Sequence, residues 1–361
     1  MSEAEFLAFC DYIAHRHFVE RIDVRCLLMT FNPIIAPYPL GRPRRLRQHG
    51  WIRDLVAENR LHVSDLVWPI FVHDGDTARD AIGSLQGVDR LSIAEAVNEA
   101  RLARDLGIKV LALFPHLNEK IRTADARAAI DPDGLIVQAC RAIKAAVPDI
   151  GLLVDIALDP YTDHGHDGLL IDGKIHNDAT IDMLIQQSLA LTAGGADILA
   201  PSDMMDGRIG AIRQALEQAG HCDTLIMSYA AKYASAFYGP YRDAIGVKAL
   251  KGDKKTYQMD SANSDEALRE VAIDIAEGAD MVMVKPGLPY LDIVQRVSDT
   301  FKVPTFVYQV SGEYAMIKAA VEKGYMDYDR GVMETLLAFK RAGASGILTY
   351  FARHVAELLK A

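Results

Sequence analysis

Residues 264–287 read SDEALREVAIDIAEGADMVMVKPG and contain the repeating unit that decides the fold. Residues 264–277 carry apolar side chains at helical spacing, Gly278 opens a turn, and residues 281–284 form a short apolar run that ends at Lys285. A helix, a glycine turn and a buried strand in this order are typical of the units that build a parallel sheet. The stretch therefore predicts one such unit, with a lysine where the strand ends.

The same unit recurs along most of the chain. Eight apolar runs of strand length follow one another: 66–72, 109–114, 151–158, 197–201, 224–229, 280–285, 304–310 and 346–351. Amphipathic segments of helix length lie between them, for example 92–106, 182–193, 264–277 and 329–341. Eight strands predict an α/β fold with a closed (β/α)8 TIM barrel. An open, doubly wound sheet is the alternative.

The start of the chain does not follow this rhythm. Four prolines and a basic cluster break the segment: Pro33, Pro37, Pro39, Pro43, Arg42, Arg44, Arg45 and Arg47. We therefore predict an extended N-terminal arm over residues 1–60 and a catalytic barrel over residues 61–361. The arm is either a solvated tail or a segment that packs on another subunit. Met29 is a candidate for the true start, in which case residues 1–28 would not belong to the protein.

Composition narrows the class of protein. The 361 residues carry a formal charge of -10, which argues against a nucleic-acid binder because phosphate recognition needs a basic surface. The four cysteines are scattered and predict neither a disulfide framework nor a zinc site. The longest apolar stretch near the start is too short to span a bilayer and lacks the pattern of a signal peptide. We expect a cytoplasmic protein that binds neither membranes nor nucleic acids.

Polar residues follow several of the predicted strands. They are Asp155 and Asp159 after the third strand, Ser202 and Asp203 after the fourth, Lys232 after the fifth, Lys285 at the sixth, Ser311 after the seventh and Tyr350 at the eighth. In a barrel of this type the carboxyl ends of the strands meet at one mouth, where the active site lies. We therefore expect these side chains to lie close together.

Lys285 is the most informative single residue. A lysine that closes an apolar run is expected to be desolvated, and desolvation favours the neutral, nucleophilic amine. Such an amine attacks a ketone or aldehyde to form a Schiff base. Lys232 should reach the same mouth from the neighbouring strand, and two close lysines lower each other's pKa. A lysine that only extends its charge to the rim is the alternative for Lys285.

A long loop follows the fifth strand. Its sequence, FYGPYRD at 237–243, is followed by Lys248, Lys251, Lys254 and Lys255. Aromatic, glycine, proline and basic residues in one loop are typical of an active-site lid whose cations bind a substrate carboxylate. A solvated basic loop is the alternative.

Five segments together resemble the porphobilinogen synthase family, also called 5-aminolevulinate dehydratase. They are 227–243, 251–259, 281–287, 308–314 and 349–352, and the resemblance extends over about residues 35–358. It implies a (β/α)8 barrel whose N-terminal arm embraces a neighbouring subunit, in homo-oligomers that are typically octamers, with hexamers as the alternative. It also implies a hydro-lyase that condenses two molecules of 5-aminolevulinate to porphobilinogen, an early step of tetrapyrrole (heme) biosynthesis.

The resemblance assigns a role to each site residue. Lys285 would hold the substrate that supplies the propionate side of the product, and Lys232 the one that supplies the acetate side, both as Schiff bases. Asp155 would assist proton transfer. The other implied substrate-binding residues are Ser311 and Tyr350 for the first carboxylate, Arg242 and Lys254 for the second, and Ser202, Asp203, Asp159, Asp167, Tyr238 and Gln258 around the pocket.

The metal ligands differ from those of many relatives. Three cysteines bind a catalytic zinc ion in those relatives, whereas this chain has Ala157, Asp159 and Asp167 at the matching positions. It therefore resembles the aspartate-rich type, and we expect no catalytic zinc and no organic cofactor. The two aspartates would bind a substrate ammonium group, a magnesium ion or water, and we favour the ammonium.

Two further metal sites come into question. Glu270 matches a position that in many relatives helps to hold an allosteric magnesium ion between subunits, and a plain surface glutamate is the alternative. His164 and His166 are spaced like a metal pair but are more often a polar lining. Three rival functions are a lysine aldolase, a metal-dependent hydrolase and a barrel without catalytic activity.

Overall fold

The computed structural model describes residues 36–246, 250 and 252–360. This part of the chain contains twelve strands. In chain order they are β1 Leu66–His73, β2 Arg79–Ala81, β3 Asp89–Leu91, β4 Val110–His116, β5 Gly151–Ile156, β6 Leu170–Ile171, β7 Lys174–Ile175, β8 Ile198–Pro201, β9 Leu225–Lys232, β10 Met281–Lys285, β11 Thr305–Gln309 and β12 Gly346–Thr349.

Eight of these strands close into a parallel barrel. Their order around it is β1, β4, β5, β8, β9, β10, β11 and β12, and β12 pairs with β1 through Leu66 opposite Ile347 and Val67 opposite Leu348. All eight correspond to the apolar runs read from the sequence. The predicted (β/α)8 barrel is therefore confirmed, and the last pairing excludes the open sheet because it leaves the parallel sheet without a free edge between its first and last strands.

The described residues contain eleven α-helices. In chain order, with α1 preceding the first strand, they are α1 Gly50–Leu55, α2 Ile93–Leu106, α3 Leu135–Ala146, α4 Asn177–Ala193, α5 Arg208–Gln218, α6 Gly239–Ala244, α7 Asp265–Ala276, α8 Leu291–Phe301, α9 Ser311–Glu322, α10 Tyr328–Arg341 and α11 Ala352–Lys360. Short 3-10 helices cover Pro43–Arg47, Val63–Asp65, Glu119–Ile121, Arg127–Ile130, Ala236–Tyr238 and Leu288–Tyr290.

The helix ends follow from the sequence signals. Ser92 accepts a hydrogen bond from the backbone N–H of Glu95 and so begins α2. After α7, Gly278 has a φ of 105°, a conformation that glycine adopts without strain, and the chain turns there into β10. The four helices predicted from spacing are present, although α4 begins at Asn177, earlier than predicted.

Four short strands escaped the sequence prediction. β2 and β3 form an antiparallel pair after β1, and β3 also pairs with β1, while β6 and β7 form a separate small hairpin after β5. Each has two or three residues and most are exposed or half-buried. Such short strands are too brief to show a periodic pattern.

The chain divides into two compact units between Glu58 and Asn59, close to the predicted boundary after residue 60. Within the described residues, the first unit holds the 3-10 helix Pro43–Arg47 and α1. The second is the barrel, whose strands are almost entirely buried. None of the helices described is long and apolar enough to cross a membrane.

Candidate active site

The two lysines singled out from the sequence stand side by side. Lys285 ends β10, Lys232 ends β9, and the two residues are opposite each other in the parallel register. Both are buried, with 6% and 4% of their surface exposed. Because the carboxyl ends of all eight strands meet at one mouth, the register places both amines there.

Four tyrosine rings surround the amine of Lys285, with ring centroids 4.8–5.3 Å from Nζ. These rings, which we call the tyrosine cage, belong to Tyr229, Tyr238, Tyr241 and Tyr308. Burial lowers the pKa of Lys285, and the positive charge of Lys232 lowers it further, against an opposing effect of Asp155. The amine is thereby brought closer to its neutral, nucleophilic form.

Lys232 has a different environment. Its Nζ donates to Asp167 Oδ1 at 3.3 Å and to the backbone carbonyl of Ser202. A carboxylate oxygen and a carbonyl oxygen are both good acceptors for the hydrogen bonds of an ammonium group. The two neighbouring lysines therefore differ in surroundings: aromatic rings face Lys285, and oxygen acceptors hold Lys232.

Two aspartates and a lysine from the long loop form a second buried cluster. Lys254 Nζ lies 3.1 Å from Asp159 Oδ2 and 2.8 Å from Asp167 Oδ2. Burial alone would lower the pKa of Lys254, but the two carboxylates outweigh it and raise this pKa to about 12. Burial alone would raise the pKa of Asp167, but the charges of Lys232 and Lys254 outweigh it and lower this pKa. Asp167 thus bridges two ammonium groups.

Asp155 faces the lysines from β5. Burial raises the pKa of Asp155, while the charges of Lys285 and Lys232 oppose this rise. Its Oδ1 is buried and has no hydrogen-bond partner among residues 36–246, 250 and 252–360. A carboxyl group that changes its protonation state easily and keeps one oxygen free is suited to proton transfer.

Most of the polar groups named above line one small cavity of about 30 Å³, but Asp155 is not among its lining residues. Its lining consists of Asp159, Asp167, Ser202, Lys232, Tyr238, Tyr241, Arg242, Lys254, Gln258 and Lys285. Arg242 lies on α6 and is exposed, and Gln258 is buried. The cavity thus brings together most of the predicted site residues. Lys248 and Lys251 of the same loop lie outside the described residues.

Ser311 and Tyr350 lie beyond the lining of this cavity. Ser311 Oγ accepts a hydrogen bond from the backbone N–H of Tyr241 at 2.9 Å, so it is tied to α6. The hydroxyl groups of Tyr350 and Tyr308 lie 2.9 Å apart. Tyr308 and Tyr241 both belong to the tyrosine cage, so each of the two predicted carboxylate binders is hydrogen-bonded to a residue of that cage.

Asp203 is placed differently from the expectation that it lines the pocket. Its Oδ1 accepts a hydrogen bond from the backbone N–H of Met205 at 2.7 Å, and its Oδ2 lies 3.5 Å from Arg208 Nε. Burial raises the pKa of Asp203 to about 6, against the effect of Arg208. Asp203 is not among the residues that line the cavity, although the charge of Lys232 is one of the effects on its pKa.

Arg208 is a residue that the sequence reasoning missed. Its side chain is 2% exposed, and its two terminal nitrogens contact the two carboxylate oxygens of Asp274 at 3.3 and 3.2 Å. It also donates to Ser228 Oγ at 3.1 Å. No local sequence pattern predicts that this arginine is buried, because its partners Ser228 on β9 and Asp274 on α7 are distant in the sequence.

Glu270 lines a separate cleft with Asp206 and Glu266. Burial raises the pKa of Glu270, and the nearby carboxylates of Asp274 and Asp206 raise it further, against the effect of Arg208. Over the described part of the chain, no group of three or more His, Cys, Asp or Glu side chains is arranged to hold a metal ion.

Comparison with known proteins gives a consistent result. Residues 40–358 match the family model described as delta-aminolevulinic acid dehydratase. A protein of that name from Bradyrhizobium diazoefficiens is 60% identical over 320 residues, which cover 88% of this chain and 91% of the relative. Another of the same name, from Rhodobacter capsulatus, is 55% identical over 329 residues, which cover 91% and 99%.

A solved structure is also similar. It is the delta-aminolevulinic acid dehydratase (porphobilinogen synthase) of Toxoplasma gondii ME49 in complex with the reaction product porphobilinogen. The sequence identity is 48%, the TM-score is 0.87, and the similarity covers 90% of this chain and 92% of the other.

Proposed function

The chain belongs to the delta-aminolevulinic acid dehydratase family, and we propose that its barrel mouth performs the family's reaction with Lys285 and Lys232 as the two nucleophiles. The reaction joins two molecules of 5-aminolevulinate into the pyrrole porphobilinogen and releases two waters. One observation carries the assignment of the lysines: two buried amines are register partners on adjacent strands. A single-lysine aldolase would have no use for the second amine.

Each lysine forms a Schiff base with the ketone of one substrate. Lys285 is the better nucleophile of the free enzyme, because burial and the charge of Lys232 lower its pKa. The Schiff base becomes a cation when protonated, and the tyrosine cage offers that cation four ring faces. As the resemblance to the family implies, we assign the propionate-side substrate to Lys285 and the acetate-side substrate to Lys232.

The bond-forming steps balance with two released waters. Formation of the two imines expels one water from each ketone. Loss of a proton from the carbon next to the imine on Lys232 gives an enamine, whose carbon attacks the imine carbon on Lys285 and forms the C–C bond. The amino group of the substrate on Lys285 then attacks the imine carbon on Lys232. The attacking nitrogen loses a proton and both lysine amines leave. The ring also loses one proton from the attacking carbon of the substrate on Lys232 and one from the amino-bearing carbon of the substrate on Lys285, and the aromatic ring results. Asp155 takes and returns protons beside the lysines.

Charge complementarity supports the binding of the second substrate at Asp159, Asp167 and Lys254. 5-Aminolevulinate carries an ammonium group at one end and a carboxylate at the other. Its ammonium group replaces that of Lys254 between the two aspartates, and Lys254, together with Arg242, then binds the carboxylate. The cavity of about 30 Å³ is about the size of one water molecule, so the side chains of Arg242 and Lys254 must shift to admit the substrate.

The carboxylate of the first substrate is bound by Ser311 and Tyr350. Both hydroxyl groups can donate a hydrogen bond to an anion. Their present partners, the N–H of Tyr241 and the hydroxyl of Tyr308, connect them to the tyrosine cage around Lys285. Tyr238, Gln258 and Ser202 complete the walls, whereas Asp203 supports the loop from behind.

We further propose that no zinc ion takes part in catalysis. The positions that carry zinc-binding cysteines in many relatives are Ala157, Asp159 and Asp167 here, and the two aspartates are neutralised by Lys254 and Lys232. Ala157 offers no ligand. A soft thiolate set that would select zinc is therefore replaced by hard oxygens that already have cationic partners.

A magnesium ion that regulates the enzyme would suit Glu270. Burial raises the pKa of this carboxylate, and the charges of Asp274 and Asp206 raise it further. A hard cation that keeps most of its waters can bind to a single carboxylate and would offset these charges.

The arm supports assembly into a homo-oligomer, with the octamer preferred over the hexamer. Leu40, Trp51 and Leu55 expose 67–71% of their surface. Large apolar side chains exposed in one segment are typical of an interaction surface. Most of the proposed arm, including residues 1–35 and Met29, lies outside the described residues. We propose that the protein acts in the cytoplasm.

The test combines product formation with trapping. Protein freed of metal by exhaustive chelation is given 5-aminolevulinate, and porphobilinogen is measured. In parallel, borohydride reduces any imine, and mass spectrometry locates the label. We expect product in the chelated sample and label on Lys285 or Lys232. Label on neither lysine would overturn the mechanism, and product that appears only after zinc is returned would overturn the zinc-free proposal.

A further inference from the structure

Glu313 is a carboxylate with no exposed surface in the first turn of α9. Its Oε2 accepts hydrogen bonds from the backbone N–H groups of Val310 at 2.7 Å and Gly287 at 3.1 Å, and its Oε1 accepts one from Leu288 at 2.5 Å. Burial raises the pKa of Glu313 to about 7, against the effect of these three N–H groups. The site described above does not use this residue.

The three hydrogen bonds connect two segments of the active site. Gly287 and Leu288 follow Lys285 by two and three residues, and Val310 directly precedes Ser311. One side chain therefore joins the loop after Lys285 to the turn that presents the Ser311 hydroxyl. All three donors are backbone N–H groups, so the Glu313 side chain acts on the position of the main chain in both segments.

Close packing leaves these segments little freedom. A Cβ atom on Gly287 would come within 2.7 Å of the Phe339 ring, and one on Gly312 would come within 2.5 Å of the Phe237 carbonyl oxygen. Only glycine fits at such approaches. The Glu313 carboxylate is thus the hydrogen-bonded link between two closely packed segments, in which a small shift changes the position of both.

Helix capping accounts for only part of this arrangement. A glutamate in the first turn that accepts the N–H before its helix is a common cap, and it explains the bond to Val310. The bonds to Gly287 and Leu288 cross to a different loop. Burying a carboxylate is unfavourable unless its hydrogen bonds compensate, so a residue that only capped α9 would not need to be buried completely.

We propose that Glu313 is a positioning residue, which sets the distance between Lys285 and Ser311 and thereby selects a ketone that carries a carboxylate at the matching distance. This inference rests on the proposed function, in which Lys285 attacks the ketone and Ser311 binds the carboxylate. Glu313 itself touches neither group of the substrate.

The experiment compares two ketones as probes on the full-length protein. 4-Oxopentanoate is the substrate without its amino group, so it can form the imine but cannot complete the ring. Butan-2-one is the same ketone without the carboxylate. Reductive trapping with cyanoborohydride, followed by mass spectrometry, gives the rate of labelling of Lys285 with each probe. The ratio of the two rates measures how well the site uses the carboxylate.

In Glu313→Gln we expect this ratio to fall about tenfold or more, since a misplacement of about 1 Å can cost as much as a hundredfold. Glutamine has the same size, but its NH2 group must face a backbone N–H, so at least one of the three bonds is lost. Labelling by butan-2-one should stay within about threefold of the wild type, since the amine itself remains. Glu313→Asp, which keeps the charge and is too short to reach both segments, should behave alike and serves if the glutamine variant does not fold.

Two controls bracket the result. Ser311→Ala removes the carboxylate contact directly and should lower the ratio in the same way. Glu277→Gln is the matched negative control, because Glu277 also accepts a backbone N–H, that of Gly210 at 3.0 Å, but does so where α7 ends, before β10 begins. It should leave the ratio unchanged.

The outcomes separate the inference from its premise. A ratio that is unchanged in both Glu313 variants, or a parallel loss of labelling by both probes, would overturn the positioning role while the wild type and Ser311→Ala still behave as expected. A wild type that shows no preference for 4-oxopentanoate would refute the proposed function, and the inference would fall with it.

Discussion

Lys285 and Lys232 are register partners on β10 and β9, yet their amines have opposite surroundings. The tyrosine cage faces Lys285, whereas Asp167 and the carbonyl of Ser202 hold Lys232. The positive charge of Lys232 is also one of the causes of the lowered pKa of Lys285. Lys232 therefore favours the neutral amine of Lys285, the form that attacks the ketone in the proposed mechanism.

Replacing Lys232 tests this coupling. Lys232→Met removes the positive charge, so the pKa of Lys285 should rise. A lysine attacks a ketone as the neutral amine, whose fraction increases as the pH passes through its pKa, so labelling of Lys285 by 4-oxopentanoate should begin at higher pH. We expect a shift of the midpoint on the order of one pH unit. Lys302→Met, an exposed lysine paired with Asp299, is the control and should show no shift. A shift to lower pH in Lys232→Met would contradict the coupling.

Replacing Asp155 should allow labelling of Lys285 at lower pH but should slow the formation of porphobilinogen. Its negative charge raises the pKa of Lys285, so Asp155→Asn should lower that pKa and move the labelling curve to lower pH. Asparagine cannot accept the proton that turnover requires, and porphobilinogen formation should fall about a hundredfold. Both quantities are measured on the same preparation. Turnover that stays within about threefold of the wild type would remove Asp155 from proton transfer.

Arg242 and Lys254 should both contribute to substrate binding, but only Lys254 should contribute to the stability of the fold. Arg242 is exposed, so Arg242→Met should raise the KM for 5-aminolevulinate about tenfold and leave the unfolding midpoint unchanged. Lys254 neutralises Asp159 and Asp167 in a buried cluster, so Lys254→Met should raise the KM and also destabilise the fold by about 3–5 kcal/mol.

Steady-state kinetics and chemical unfolding at one protein concentration measure this difference. The variant Lys255→Met, from the adjacent position of the loop, is the control for a general loss of charge. Equal unfolding midpoints for Lys254→Met and Arg242→Met would show that the buried cluster contributes nothing to stability.

The sequence alone was sufficient for the barrel and for the two lysines. Eight apolar runs recur with helices between them. Lys232 follows the fifth run and Lys285 ends the sixth, so both lysines must reach the same mouth of the barrel. Asp203 shows where the reasoning stopped: it was grouped with Ser202 by its place after a strand, whereas its carboxylate contacts the backbone N–H of Met205 and lies near Arg208. The position of a residue after a strand does not reveal such contacts.

Other residues were beyond sequence reasoning for a different reason. Glu313 and Arg208 owe their roles to partners in elements far away along the chain, and no local spacing reveals such contacts. The tyrosine cage is similar, because its four rings come from β9, the loop after it, α6 and β11. Tertiary packing, which local patterns do not encode, assembles these groups.

Magnesium should act through Glu270. In protein freed of metal, added magnesium is expected to increase the rate of porphobilinogen formation, and Glu270→Ala should abolish this increment because the cation loses its carboxylate. Glu277→Ala, on the residue that follows the same helix, is the matched control and should retain the increment. Rates are compared over a magnesium titration after chelation. An increment that persists in Glu270→Ala would place the cation elsewhere.

Arg208 should be essential for stability, and the stability lost when it is replaced should depend on pH. Arg208→Met leaves the buried carboxylates of Asp274 and Asp203 without their cation, which should cost about 3–5 kcal/mol of unfolding free energy. Arg208 lowers the pKa of Asp203, so its removal should raise this pKa above the present value of about 6. A carboxyl group whose pKa is higher in the folded state binds its proton more tightly there, so its cost is largest at high pH and decreases as the pH falls through the folded pKa. The deficit of Arg208→Met relative to the wild type should therefore be smaller at pH 5 than at pH 8.

Chemical unfolding at both pH values measures this deficit, and Asp203→Asn in the Arg208→Met background should remove part of the pH dependence. Arg208→Lys, which retains a charge, is the milder variant and should lose less. A deficit that is equal at both pH values would mean that Asp203 does not carry the uncompensated charge, and it would leave Asp274 as the only carboxylate that needs the arginine.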